Sequence, residues 1–462
     1  MKHTVSSPVN YYSTNGKAPE VSLQEAVVRG LAPDGGLYVP SYVERLAQKE
    51  YERYASLSFQ EITTALAKVL FGKDISAEEL EEITRDAYYT DFGLPGQHQM
   101  IELVKVTDHI YALELFHGPT LAFKDVGARF MARLLGYFIR KEGKKQQVNV
   151  LVATSGDTGS AVANGFLGVE GIHVYVLYPK GKVSEIQEKQ FTTLGQNITA
   201  LEVDGTFDDC QALVKAAFMD KELNNRLKLT SANSINVARF MPQIFYYFGG
   251  YAQLATLLNQ AKLPNDLKLV VSVPSGNLGN LTAGLYAKTM GLPIERFIAA
   301  NNRNDVFYQY LQNGIYAPRP SEPTIANAMD VGNPSNFARI LDLYDDDYDK
   351  ICDDISGFSY TNMQIASTIR RVWKKDHYLL DPHGACAYQA LVDGLRPDET
   401  GIFLATAHPA KFKDTVESII REPIAIPAKL KAFMEKAKQS VQMSKEFDDF
   451  KEFLLGNRPD AD

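Results

Sequence analysis

The chain has 462 residues, 45% of them hydrophobic and 11% aromatic, which is enough for two or three domains with ordinary buried cores and excludes a disordered chain. Its 48 Lys and Arg against 56 Asp and Glu leave a net charge of −8, so no basic footprint for nucleic acid exists. Cys210, Cys352 and Cys386 are odd in number, widely spaced and without a C-x-x-C pair, which disfavours disulfide scaffolds and zinc ribbons and fits a reducing cytoplasm.

The opening residues "MKHTVSSPVNYYSTNG" are polar and lack the apolar stretch of a secretion signal, and no apolar run reaches bilayer length. A cytoplasmic protein without a membrane partner is expected. The first 95 or so residues form a separate mixed segment containing "GLAPDGGLYVP". After it, short β-branched runs alternate with longer segments of helical period, the pattern of a parallel sheet covered by helices. "HIYALEL" (109–115) reads as a strand, "KDVGARFMARLLGYFIRKE" (124–142) as a helix and "VNVLVAT" (148–154) as the next strand. "IHVYVLYP" (172–179), "LKLVVSVP" (267–274), "ERFIAAN" (295–301) and "TGIFLAT" (400–406) continue the alternation, so the fold class is α/β, doubly wound. The acidic run "DLYDDDYDK" (342–350) lacks the Gly and terminal Glu of an EF-hand and reads as a solvated loop. The last 35 or so residues are rich in Lys and Glu and helical by their period.

Open α/β sheets bind ligands outside the carboxyl ends of their strands, so chemistry is sought in the loops there. After "LKLVVSVP" comes "SGNLGNLTAG" (275–284), whose small residues let the backbone approach an anion at the start of a helix. It has no Gly-Lys-Ser/Thr, and the spacing of Gly276, Gly279 and Gly284 is not G-x-G-x-x-G. It reads equally as a tight turn that needs Gly for its dihedrals and Asn for capping. After "VNVLVAT" comes "SGDTGSA" (155–161), a second such loop, where Ser155, Thr158 and backbone N–H groups offer donors to another anion, such as a substrate carboxylate. Asp157 opposes an anion and reads as a hydroxyl partner or a helix cap. After "TGIFLAT", Thr406 ends a strand and Lys411 follows in "AHPAKF".

Lys124 sits at the head of a predicted helix, after the turn residues Gly118 and Pro119 and the apolar Leu121, Ala122 and Phe123. A cation there meets the positive end of the helix dipole, and desolvation adds to the preference for the neutral amine. A neutral lysine amine is a nucleophile that condenses with aldehydes, and the carbonyl cofactor that also carries a phosphate is pyridoxal phosphate. Alternatively, Lys124 pairs with Asp125 in a first turn.

"HGPTLAFKD" (117–125), "SGDTGSA", "NSINVARF" (233–240), "PSGNLGNLTAG", "MDVGNPSNF" (329–337) and "LATAHPAKF", with "APDGGLYVP" near the start, together resemble the threonine synthase family of fold type II pyridoxal-phosphate enzymes, in the family's order and over nearly the whole chain. The resemblance implies two open, twisted, mostly parallel α/β lobes with the cofactor in the cleft between them. On it, residues 1–95 form an N-terminal wrap, 96–150 and 241–427 a large cofactor-binding domain, 151–240 a small α/β domain and 428–462 a C-terminal helical extension. It implies that Lys124 carries the cofactor as a Schiff base, that Gly276, Asn277, Leu278, Gly279 and Asn280 hold its phosphate, and that Thr406 faces the pyridine nitrogen. It also implies that "SGDTG" receives the substrate's α-carboxylate.

The implied reaction is a lyase reaction of threonine biosynthesis that converts O-phospho-L-homoserine and water to L-threonine and phosphate, so a second phosphate must be bound. Arg239 offers a bidentate fork for it, Asn233, Ser234 and Asn236 offer neutral donors, and Lys411 is a further candidate. Rival readings are another fold type II lyase, such as a serine/threonine dehydratase, or a non-catalytic phospholigand-binding α/β protein. The eight histidines are dispersed without metal-ligand spacing, so no metal is expected. His117 and His383 are candidates for the cleft wall or for structural hydrogen bonds.

Overall fold

The structure, a computed structural model, describes residues 8–89, 99–143, 147–258 and 267–456. Its thirteen strands in chain order are β1 (Tyr11–Ser13), β2 (Tyr38–Pro40), β3 (Glu102–Lys105), β4 (Ile110–Glu114), β5 (Val148–Ala153), β6 (Ile172–Pro179), β7 (Ile198–Val203), β8 (Lys228–Ser231), β9 (Lys268–Pro274), β10 (Arg296–Asn301), β11 (Ile355–Ser359), β12 (Glu399–Ala405) and β13 (Val441–Met443). The predicted runs fall on β4, β5, β6, β9, β10 and β12 to within a residue at each end, and the helix Lys124–Glu142 has the predicted bounds. Every residue of β5 is buried, as a parallel strand covered on both faces requires.

These strands form two large sheets. One runs β11-β10-β9-β12-β4-β3 and the other β13-β7-β6-β5-β8; apart from antiparallel β3, all neighbours in them are parallel. In the first sheet β9 lies between β10 and β12, and in the second β5 lies between β6 and β8. The chain therefore leaves β9 and β5 at the point where strand order reverses, which opens a crevice at their carboxyl ends. Both Gly-rich loops start there.

The N-terminal residues make the antiparallel pair β1-β2 and several helices, of which Phe59–Phe71 and Ala77–Tyr88 are each opened by a serine capping box. Tyr88 and Phe130 pack on Phe245, and Phe59 packs on Tyr88, which joins this segment to the core. The expected division at residue 150 falls inside β5. The C-terminal stretch is not all helix: β13 pairs in parallel with β7 between the helices Ala428–Met434 and Phe447–Gly456, and Phe450 and Leu454 are buried in the core of the second sheet. The acidic run also carries structure: Asp342 accepts the Tyr12 hydroxyl at 2.8 Å, and Asp347 caps the helix Tyr348–Asp354.

Candidate active site

One cavity collects loops from both sheets. It is lined by Phe123 and Lys124 after β4, Pro274 and Gly276 to Asn280 after β9, Thr406 after β12, Thr158 after β5, and Asn233, Ser234 and Arg239 after β8, with Gln243, Ala328, Met329 and His383 completing the wall. The three strands β9, β12 and β4 are neighbours in their sheet, as are β5 and β8 in theirs, so residues far apart in sequence meet because their strands end side by side.

Lys124 is the first residue of its helix, and Phe123 before it gives no side-chain cap. Asp125 is not its salt-bridge partner: its carboxylate accepts the Thr120 hydroxyl at 2.7 Å and the Thr120 N–H at 2.8 Å. Burial lowers the Lys124 amine to about 8, against the pull of the Asp157 carboxylate and with the help of the Arg239 and Lys411 charges.

Across the cavity, the helix Gly279–Thr289 begins without a side-chain cap, and Leu278 before it is left-handed, with φ 61°. None of the backbone N–H groups of Gly276 through Asn280 finds an acceptor among the described residues. These donors, at a helix start that carries partial positive charge, suit a phosphate. The loop's asparagines brace the turn: Asn280 donates to Pro274 O at 2.9 Å and accepts the Leu281 N–H at 3.0 Å, while Asn277 Oδ1 accepts the Ser335 N–H at 3.3 Å.

Arg239 is buried, which lowers its guanidinium to about 10. Its Nη1 donates to Ala232 O at 2.6 Å, while its Nε is buried with no partner among the described residues. A buried arginine on the cavity wall suits an anion there. Ser234 Oγ accepts from Asn336 Nδ2 at 3.1 Å, and Asn233 donates to Ala153 O at 3.1 Å.

Four expected substrate residues lie outside this lining. Asn236 is wholly buried and caps the helix Val237–Phe240, donating to Val27 O and Ser231 O, so its amide has no capacity left for a ligand. Lys411 is not a phosphate ligand, because its amine pairs with Asp157 at 2.6 Å and donates to Thr120 O at 2.8 Å. Asp157 is not a cap: its carboxylate takes Lys411 and, at 2.8 Å, Gln187 Nε2. Ser155 is partly exposed beside the cavity. The loop is ordered instead by Thr154, whose hydroxyl accepts the N–H groups of Gly156 and Gly159 at 2.9 and 2.8 Å.

The two candidate histidines separate. His383 lines the cavity, bonded to Asp381 at 2.5 Å and accepting the Ala328 N–H at 3.1 Å. His117 lies in a different hollow, 2.9 Å from Glu114 and 3.8 Å from Glu102, which are direct cross-strand partners on β3 and β4. Gln243 and Ala328 were not legible as wall residues, since they lie outside every motif read from the sequence, and Met329 was read only as the start of "MDVGNPSNF" without a role.

Comparison with known proteins agrees with this arrangement. The family described as pyridoxal-phosphate dependent enzyme matches residues 96–406, and the threonine synthase N-terminal and C-terminal families match 10–88 and 383–454. The threonine synthase of Haemophilus influenzae is 43% identical over 447 residues, 97% of this chain and all of the relative, and that of Escherichia coli is 43% identical over 421 residues, 91% and 93% of the two chains. The crystal structure of the Escherichia coli threonine synthase superposes with a TM-score of 0.87 at 40% identity, covering 97% of this chain and 100% of that one. The pyridoxal-phosphate-bound threonine synthase of Brucella melitensis gives 0.88 at 34%, covering 97% and 99%. With a lysine amine and an anion cradle lining one cavity between two mostly parallel sheets, and with full-length matches of this kind, the chain belongs to the threonine synthase family of pyridoxal-phosphate-dependent enzymes.

Proposed function

We propose that this chain is a cytoplasmic threonine synthase that converts O-phospho-L-homoserine and water to L-threonine and phosphate with pyridoxal phosphate as cofactor. The observation that carries the reading is the pairing, across one cavity, of the Lys124 amine with the free N–H groups of Gly276 to Asn280. The residues fit the cofactor: a nucleophilic amine for its aldehyde, a nest of donors for its phosphate, and the Thr406 hydroxyl for its ring nitrogen. Pyridoxal phosphate, when bound, supplies the electron sink that lets bonds at the substrate's Cα and Cβ break and form.

Lys124 would hold the cofactor through its aldehyde, and its amine would be the group that moves protons at the substrate's Cα and Cβ. An amine lowered to about 8 is suited to that work near neutrality, because both its charged and neutral forms are accessible. Thr406 offers a hydroxyl where a carboxylate would hold a proton on the ring. Thr158 and the N–H groups of its loop bind the α-carboxylate, and Arg239, with Asn233 and Ser234, binds the substrate phosphate.

The purified protein should show a visible absorption band that borohydride traps on Lys124, and it should release phosphate and threonine in equal amounts from O-phospho-L-homoserine. Lys124→Ala should remove the band and lower turnover roughly a thousandfold or more. A colourless protein, or a variant with full activity, overturns the reading; ammonia release from serine or threonine without phosphate release favours a dehydratase. Arg239→Ala should keep the band but lower kcat/KM on the order of tenfold to a hundredfold, as expected for loss of a charged hydrogen bond. Unchanged kinetics remove Arg239 from the phosphate site.

A further inference from the structure

Lys411 and Asp157 meet from opposite sheets: Lys411 lies in the turn after β12, and Asp157 starts the helix that follows β5. Their side chains are 0% and 3% exposed, and the amine stands 2.6 Å from the carboxylate. The pair is one link in a buried chain of contacts. On one side Gln187 donates to Asp157, and Ser184 Oγ donates to Lys411 O at 3.3 Å. On the other, Lys411 Nζ and Gln190 Nε2 both donate to Thr120 O, at 2.8 and 3.0 Å, and Thr120 is bonded through its N–H and hydroxyl to Asp125. Thr120 precedes Lys124 and Asp125 follows it, so the chain ends on both flanks of the lysine.

A buried ion pair seldom stabilises a fold more than apolar packing of the same volume, because desolvation offsets the Coulomb gain. Its position here offers another reason for it. Three charged residues act on the Lys124 amine: Asp157 from the helix Asp157–Phe166, Arg239 from the helix Val237–Phe240 and Lys411 from the turn Pro409–Phe412. His383, from the helix Pro382–Gly394, lines the same cavity with both ring nitrogens engaged. Asp157 alone among these charges is negative.

We propose that Asp157 is a positioning residue for Lys124: its carboxylate, held between the two sheets, sets the charge carried at Nζ, and Lys411 is the counterion that moderates that charge and keeps it in place. This rests on the reading of Lys124 as the cofactor lysine. Burial acts to protonate Asp157, but Lys411, Lys124 and Gln187 hold its carboxyl at about 2, so it stays charged throughout the working pH range. Without Lys411, Asp157 would act on Lys124 undiluted; without Asp157, Lys124 would face two cations.

The test uses the cofactor-loaded protein and follows the visible band against pH, which reports the proton on the Lys124 nitrogen. Asp157→Asn should lower the midpoint on the order of one pH unit, since the charge that favours the proton is gone. Lys411→Met should raise it, since a competing cation is gone. Opposite shifts are what a merely structural contact would not produce, and midpoints that stay put or move together overturn the proposal. Lys411→Met leaves a buried carboxylate unpaired and is the variant most exposed to misfolding. The double variant Asp157→Asn with Lys411→Met leaves neither charge, and its midpoint should lie above that of Asp157→Asn alone; equal midpoints overturn the proposal as surely. If the unsubstituted protein has no visible band, the cofactor reading fails and takes this inference with it. A normal band with unmoved midpoints overturns this inference alone.

Discussion

The two Gly-rich loops begin with the same letters, Ser-Gly, leave a parallel strand where strand order reverses, and start a helix, yet they present opposite faces to the cavity. After β5 two of the donors are satisfied internally: Thr154 takes the N–H groups of Gly156 and Gly159, and the Asp157 carboxylate turns to Gln187 and Lys411. After β9, Ser275 bonds back to Val273 O, left-handed Leu278 turns the chain, and the N–H groups from Gly276 to Asn280 remain unmet. One loop is a built wall that shows the cavity Thr158; the other is a receptor made of backbone. Glycine spacing identifies a tight strand-to-helix turn, but the side chains around the turn decide whether its donors are left for a ligand.

Gly156→Ala should have the larger effect on stability. Gly156 has φ 140°, which a side chain rarely adopts, and an added Cβ would lie 2.5 Å from Gln187 Cδ. Strain plus displacement of the side chain that bonds Asp157 should cost about 2–4 kcal/mol in denaturant unfolding. Gly279→Ala is the matching change in the other loop. There the backbone is already helical and the nearest contact of a new Cβ is Ser234 Cβ at 3.1 Å, so the loss should stay under about 1 kcal/mol. Equal losses would mean that the two turns are braced alike.

The same contrast explains what could be read from sequence. Buried central strands such as Val148–Ala153 and Ile172–Pro179 announce themselves, because both faces are covered and nearly every residue is apolar. The strands missed are β3, β8, β11 and β13, all at sheet edges, together with β7 and the short N-terminal pair. An edge strand has one partner and tolerates sequences such as "KLTS" or "ISGFS", which carry no strand pattern. Lys124 was legible because its surroundings, a turn and an apolar trio, are local. Lys411 was not, since the same letter at a strand end serves a bound phosphate or a buried carboxylate, and only the fold brings Asp157 to it. Nor could spacing distinguish Asn236, a buried cap, from Asn233 three residues earlier, which reaches the cavity wall.

Asn336 tests the receptor loop more gently. Its side chain donates to Asn277 O at 3.0 Å and to Ser234 Oγ at 3.1 Å and accepts from Arg339, whose Nη1 lies 2.6 Å away. Arg339 is itself wholly buried, stacked 4.1 Å over Phe240, and bonded to the carbonyls of Tyr38, Ser234 and Ile235. Asn336 thus ties the N–H nest to the segment that carries Ser234 and Arg239, and Asn336→Ala removes that tie while Arg339 keeps its backbone acceptors. A loss of one or two neutral hydrogen bonds beneath the nest should weaken cofactor binding about tenfold, or about 1.4 kcal/mol, read as the dissociation constant for pyridoxal phosphate. Thr154→Ala takes the corresponding brace from beneath the other loop, and there the change should fall on the KM for substrate, with cofactor affinity held within about twofold. If both substitutions weaken the cofactor alike, the loops share one ligand, and the division of cavity wall from receptor has to be redrawn.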